Sequence, residues 1–209
     1  MIDTAAQRNI IKKTTLQDFR RQFPWIPEIK MDKKIRLSGS ALLDHSGQYK
    51  LSISTKENQL LTMLEGKQKK DYFITIPVSL GNSKNGKPYI TFTNAVLKVK
   101  KKVKDNGRFV FDINVNSKIT ITEQLFPYDF EKKQAKFEKS IANELEDEFN
   151  QLIHKIQKAQ IDPLGLGLYA RAYTYPEWKK VQDHWGKTLA KSKINIHVKT
   201  EIKSIGTMS

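Results

Sequence analysis

The sequence predicts an α+β fold: an antiparallel-rich β-sheet with a long amphipathic helix packed on one face and a shorter tryptophan-bearing helix. Three observations carry this. Residues 71–125 alternate apolar and polar side chains in runs broken by Gly/Asn-rich segments, the pattern of strands with one wet face. Residues 131–160 place Phe137, Ile141, Leu145, Phe149, Leu152 and Ile156 at steps of four, four, four, three and four, one continuous helical stripe. Near the C-terminus, Ile194, Ile196, Val198 and Ile202 alternate with Asn195, His197, Lys199 and Glu201, which is a strand again.

Taken in order, residues 1–34 read as an N-terminal helical arm or the remnant of a preceding domain. Leu16, Phe19 and Phe23 share a helical face there, and Pro24 and Pro27 end it. Residues 35–209 form the main α+β body. It opens with two extended runs around "DHSGQ". A short helix follows in "KENQLLTMLEGK", with Leu60, Leu61 and Leu64 inward and Gly66 after its last turn. A three-stranded meander spans 71–125, its second and third strands joined at Asp105-Asn106-Gly107, a strong hairpin signal. The long helix should stop near Ile161, because Asp162-Pro163 cannot continue it. After "LGLG" lets the chain turn, Pro176 opens one helix that carries Trp178, Val181, Trp185 and Leu189 on a single face.

The composition excludes several function classes. There are no cysteines, so disulfides, thiolate metal sites and cysteine nucleophiles are ruled out within these residues. No apolar run approaches the roughly 18–20 residues of a membrane helix, and the first residues lack an apolar signal-peptide core. The formal net charge is +15, which draws the surface to polyanions: nucleic acid, anionic lipid or an acidic partner.

The glycines of "GLGL", Gly165 and Gly167, follow a helix rather than a strand and lack a third glycine, so a structural turn with Asp162 fits better than a phosphate loop. Lys98, Lys100, Lys102 and Lys104 lie on one face of a strand, either as a solvated face or as a contact with a membrane or other polyanion. No aromatic residue interleaves them, so nucleic acid is not the expected partner. Tyr169, Tyr173 and Tyr175 suit either the core margin or a protein interface. His45, His154, His184 and His197 show no metal-binding spacing, and the carboxylates Glu131, Glu144, Glu146, Asp147 and Glu148 spread around the long helix as a solvated face. No Ser/His/Asp or paired-carboxylate constellation emerges, so no catalytic residue, metal or cofactor is expected.

The order of these elements carries a family resemblance. The long helix ends in Asp162, Gly165 and Gly167; a helix with Trp178 and Trp185 follows; "INIHVKTEIKSIG" closes on Gly206; and "LSGSALLDHSGQYKLSISTKENQLLTMLEGK" supplies the upstream strands and helix. Residues 35–206 resemble the C-terminal region of the spore germination receptor C subunit, the Ger(x)C lipoproteins of Bacillales. The resemblance implies a non-enzymatic subunit of a nutrient germinant receptor, with the A and B subunits as partners. It also implies a place at the outer face of the spore inner membrane, held by a lipid anchor that these residues do not carry. Two other readings stand beside it: a basic nucleic-acid-binding module and a small-molecule germinant-binding domain.

Overall fold

The computed structural model describes residues 39–206 apart from 45, 67–72, 80–87, 106–107, 125 and 127–129. The helical arm expected over 1–34 and the turn at 106–107 therefore lie outside the described residues.

A two-stranded antiparallel hairpin, β1 (Gly39–Leu43) and β2 (Tyr49–Ser54), turns at Asp44, whose carboxylate accepts from the Ser46 and Gln48 backbone N–H groups. Ser54 then caps helix α1 (Thr55–Glu65): its hydroxyl accepts from Glu57 N, and the Glu57 carboxylate accepts from Ser54 N at 2.8 Å. This reciprocal box satisfies two N-terminal donors of the helix. Leu60, Leu61, Met63 and Leu64 are buried, and Gly66 closes the helix in the left-handed conformation.

The main sheet has the order β3 (Ile74–Pro77), β4 (Tyr89–Asp105), β5 (Phe109–Gln124), β6 (Lys193–Ile205). The first three strands form the antiparallel meander, with Val103 opposite Phe111 and Val99 opposite Val115. The last strand lies beside β5 and runs parallel to it, Phe111 opposite Ile194 and Val115 opposite Val198. A parallel neighbour needs a crossover, and residues between β5 and β6 supply it as helices on one side of the sheet.

Helix α2 (Phe130–Lys158) is the largest part of that crossover. All six residues of its stripe are buried, in one core cluster with Phe92, Phe111, Ile113, Val115 and Ile119 of the sheet. Each such side chain is worth roughly 1.5–3 kcal/mol in transfer from water, so the stripe fixes the helix to the sheet. Ile153 and Ala142, outside the stripe, are buried too.

The chain beyond α2 departs from expectation in two ways. Residues 166–173 are helical, α3 (Leu166–Tyr173), where a bare turn was expected. The tryptophan segment is not one helix but α4 (Tyr175–Val181), a 3-10 turn (Gln182–His184) and α5 (Trp185–Lys191). Trp178 and Trp185 thus sit on different helices.

Candidate functional site

The joint between α2 and α3 is organised by one carboxylate. Asp162 Oδ1 accepts from Leu166 N at 2.8 Å, and Oδ2 accepts from Gly167 N at 2.6 Å and from Trp185 Nε1 at 2.8 Å. The N-cap residue of α3, Gly165, has no side chain, so Asp162 satisfies the exposed N–H groups of the first turn from upstream. Burial pushes the Asp162 carboxyl above its ordinary range, against the pull of these three donors and the nearby Lys101 charge. Lys101 in turn donates to Leu164 O at 3.3 Å and lies 5.6 Å from the ring centre of Tyr169.

Gly165 adopts φ 66°, a left-handed turn residue. Gly167 does something different from the turning role expected of it. It lies inside α3, and a Cβ there would stand 2.7 Å from Trp185 Nε1 and 3.2 Å from Asp162 Oδ2. Its bare backbone lets the indole reach the carboxylate. The Trp185 ring stands edge-on to Phe109 and Phe111, at centroid distances of 5.3 and 6.4 Å. Gly186 repeats the device one residue on, since a Cβ would fall 2.1 Å from Gln160 O. Sequence reasoning missed both the Asp162–Trp185 bond and Gly186, because each depends on contacts across the α2–α5 gap.

This rigid joint presents an aromatic elbow. Tyr169 is half-buried and stacks on Tyr173 at 6.4 Å, while Tyr175 lies 6.1 Å from Trp178. The Arg171 guanidinium sits 5.5 Å from the Trp178 ring centre. Tyr173 is 72% exposed, Leu168 57% and Tyr175 51%. The core-margin reading therefore suits Tyr169 and is corrected for Tyr173 and Tyr175, whose rings face outward.

The carboxylates of α2 are also not the plain solvated face that was expected. Glu146 Oε2 accepts from Val198 N at 3.2 Å and Glu138 Oε1 from Ile202 N at 2.8 Å. These are outward backbone donors of β6, so two helix side chains occupy a sheet edge that would otherwise stand open. Glu148 pairs with Lys56 of α1, and Glu57 with Lys155, which ties α1 to α2.

Lys98, Lys100, Lys102 and Lys104 are all exposed on the sheet face opposite the helices, with Leu97, Val99 and Val103 turned inward. A groove of about 740 Å³ opens between the start of β5 and α4–α5, lined by Arg108, Phe109, Glu177, Lys180, Lys191 and Ser192 among others. Its buried polar residue, Ser192, already donates its hydroxyl to Thr188 O. Among the described residues, no group of His, Asp or Glu gathers to hold a metal, and no helix is long and apolar enough to cross a membrane.

The family model for the spore germination B3/GerAC-like C-terminal domain matches residues 38–206. The chain belongs to this family. The GerAC-like domain is 33% identical over 107 residues to spore germination protein KC of Bacillus subtilis strain 168, covering 48% of this chain and 26% of that protein. It is 30% identical over 124 residues to spore germination protein B3 of the same strain, covering 57% and 33%. The crystal structure of the GerBC protein shares the fold, with a TM-score of 0.66 and 24% identity over 81% of this chain and 52% of that one. The chain thus spans a quarter to a third of the curated relatives and about half of the solved chain.

Proposed function

We propose that this GerAC-like domain acts as a non-catalytic part of the C subunit of a nutrient germinant receptor in spore germination. In this reading it binds the receptor's A and B subunits at the outer face of the spore inner membrane. A lipid anchor outside these residues would hold it there. The observation that carries the reading is the aromatic elbow. Tyr, Trp and Arg dominate the energetic centres of protein interfaces, because they offer large contact area and a polar end for little lost rotamer freedom. Here Leu168 and Tyr173 stand exposed on α3, whose first turn the Asp162 carboxylate holds, and exposed Tyr175 follows at the start of α4. The surface is therefore pre-organised, which lowers the ordering cost of association.

The test is capture of receptor subunits from detergent-solubilised spore membrane by the 209-residue chain and by a Tyr173→Ala/Tyr175→Ala variant. Both rings are mostly exposed, so the variant should keep its thermal stability. Specific recovery of the A or B subunit by the wild type, with loss in the variant, supports the reading. Recovery of neither subunit by either protein refutes it.

A further inference from the structure

The described helices all lie on one side of the main sheet, and the strand registers show which residues the other side holds. Reading across β4, β5 and β6, the outward rows are Lys104–Val110–Lys193, Lys102–Asp112–Asn195, Lys100–Asn114–His197 and Lys98–Asn116–Lys199, with Lys118 beside Glu201 below them. A lysine column on β4 and the mixed column Lys193, Asn195, His197 and Lys199 on β6 flank a central column of Val110, Asp112, Asn114 and Asn116. Neighbouring strands lie about 4.8 Å apart and same-face residues about 6.8 Å apart. The columns on β4 and β6 therefore stand roughly 10 Å from each other.

In these rows seven lysines (98, 100, 102, 104, 118, 193, 199) stand with two carboxylates, Asp112 and Glu201. Only Lys104 and Lys118 reach one, at 4.0 and 2.9 Å. Asp112 also accepts from Asn195 at 2.7 Å. Five positive charges are left unbalanced on one open surface.

Two features argue that this composition is more than a solvated face. Asn, Asp and Lys are among the residues least suited to strands, yet they fill consecutive outward positions of β5 and recur on β6. Local preference is overridden here without any packing gain within the described residues, which is where function is expected to show. Parallel strand pairs are also ordinarily covered on both faces, whereas among the described residues the β5–β6 pair is covered only by helices on its inner side.

We propose that this outer sheet face, including the β6 column, is a docking surface for anionic lipid headgroups. The occupant follows from the chemistry. The rows hold no Phe, Tyr or Trp, and the exposed His197 is their one ring, so bases have little to stack on. These rows hold no Tyr, Trp or exposed apolar anchor of the kind protein partners use, whereas Leu168, Tyr173 and Tyr175 stand exposed together at the elbow. What remains is many similar cations spread over an open sheet, which suits a layer of phosphate headgroups where each lysine adds a comparable increment. The proposal extends the lysine-strand contact beyond β4 and rests on the membrane placement proposed above, not on the elbow.

The experiment is co-sedimentation of the full chain with vesicles of phosphatidylcholine containing 30% phosphatidylglycerol, and with pure phosphatidylcholine, at low and high salt. Two variants remove equal charge: Lys193→Gln/Lys199→Gln on β6, and Lys179→Gln/Lys187→Gln on the helix side. Among the described residues none of these four lysines has an ion-pair partner, so folding should be unchanged. At about 1 kcal/mol per lysine near an anionic leaflet, the β6 variant should bind roughly 30-fold more weakly. The helix-side variant should change by less than about 3-fold. Binding to phosphatidylcholine as strong as to the anionic vesicles, or equal losses in both variants, overturns the proposal. So does retention on polyglutamate resin without vesicle binding. Each of these outcomes leaves the subunit capture by the elbow as a separate result.

Discussion

The claim that Asp162 holds the α2–α3–α5 joint makes a quantitative prediction about its removal. Asp162→Ala leaves the Leu166, Gly167 and Trp185 N–H groups without their acceptor. Hydrogen bonds to a charged acceptor contribute about 1.5–3 kcal/mol each, which bounds the effect from above. Two things reduce the sum. Burial opposes the charged form, as the raised Asp162 carboxyl shows, and three bonds to one carboxylate do not add independently. A net loss of about 3 kcal/mol is expected, in line with breaking other buried charge networks, and a large share of the 5–15 kcal/mol typical of a domain.

The assay is equilibrium urea unfolding followed by far-ultraviolet circular dichroism, run as a double-mutant cycle with Trp185→Phe. The phenyl ring keeps the edge contact with Phe109 but cannot donate to Asp162. Because both remove this one bond, the two substitutions should be sub-additive by about 1 kcal/mol or more. Should the alanine variant fail to fold, Asp162→Asn retains one acceptor oxygen and is expected to show about half the loss. A loss below about 1 kcal/mol for Asp162→Ala, or additivity within roughly 0.5 kcal/mol across the cycle, would refute the reasoning.

Other outcomes follow from the same structure. Gly186→Ala should destabilise by about 2 kcal/mol through its clash with Gln160 O, although alanine favours helices by about 1 kcal/mol; a gain in melting temperature would contradict the close approach. Glu138→Ala and Glu146→Ala together should lose about 2 kcal/mol and, by opening the β6 edge, promote concentration-dependent association visible by light scattering. At Glu57, burial raises the carboxyl, but hydrogen bonds from Lys155 and Ser54 and the Lys155 charge outweigh it and hold it below its ordinary range. A depressed carboxyl stabilises above its unfolded value, near 4.3, and that contribution fades as pH falls through the folded value. The stability gap between wild type and Glu57→Gln should therefore be wide at pH 6 and narrow toward pH 3.

What the sequence made legible was whatever its own neighbours determine. The α2 stripe and the β4–β5 alternation each depend on a period within one element, and Gly66 directly follows the last turn of α1. The joint was not legible in this way. Helix α3 is short, contains a glycine and takes its cap from a carboxylate four residues upstream of its first residue, so no local signal announces it. The break at Gln182–His184 has neither proline nor glycine; Trp185 instead meets Asp162, 23 residues away, and the ring of Phe109.

The polar face illustrates the same limit at the next level up. Alternation alone put Lys98, Lys100, Lys102 and Lys104 on one side of β4, and Asn195, His197 and Lys199 on one side of β6. That the two sets form one surface depends on β6 lying parallel against β5 in a register that carries Asn116 to Lys199. One residue of slip would turn every β6 lysine inward and its isoleucines out. Burial of Ile196 against the core therefore selects the register, and the register composes the lysine face. The apolar side of β6 thus determines what the polar side can bind.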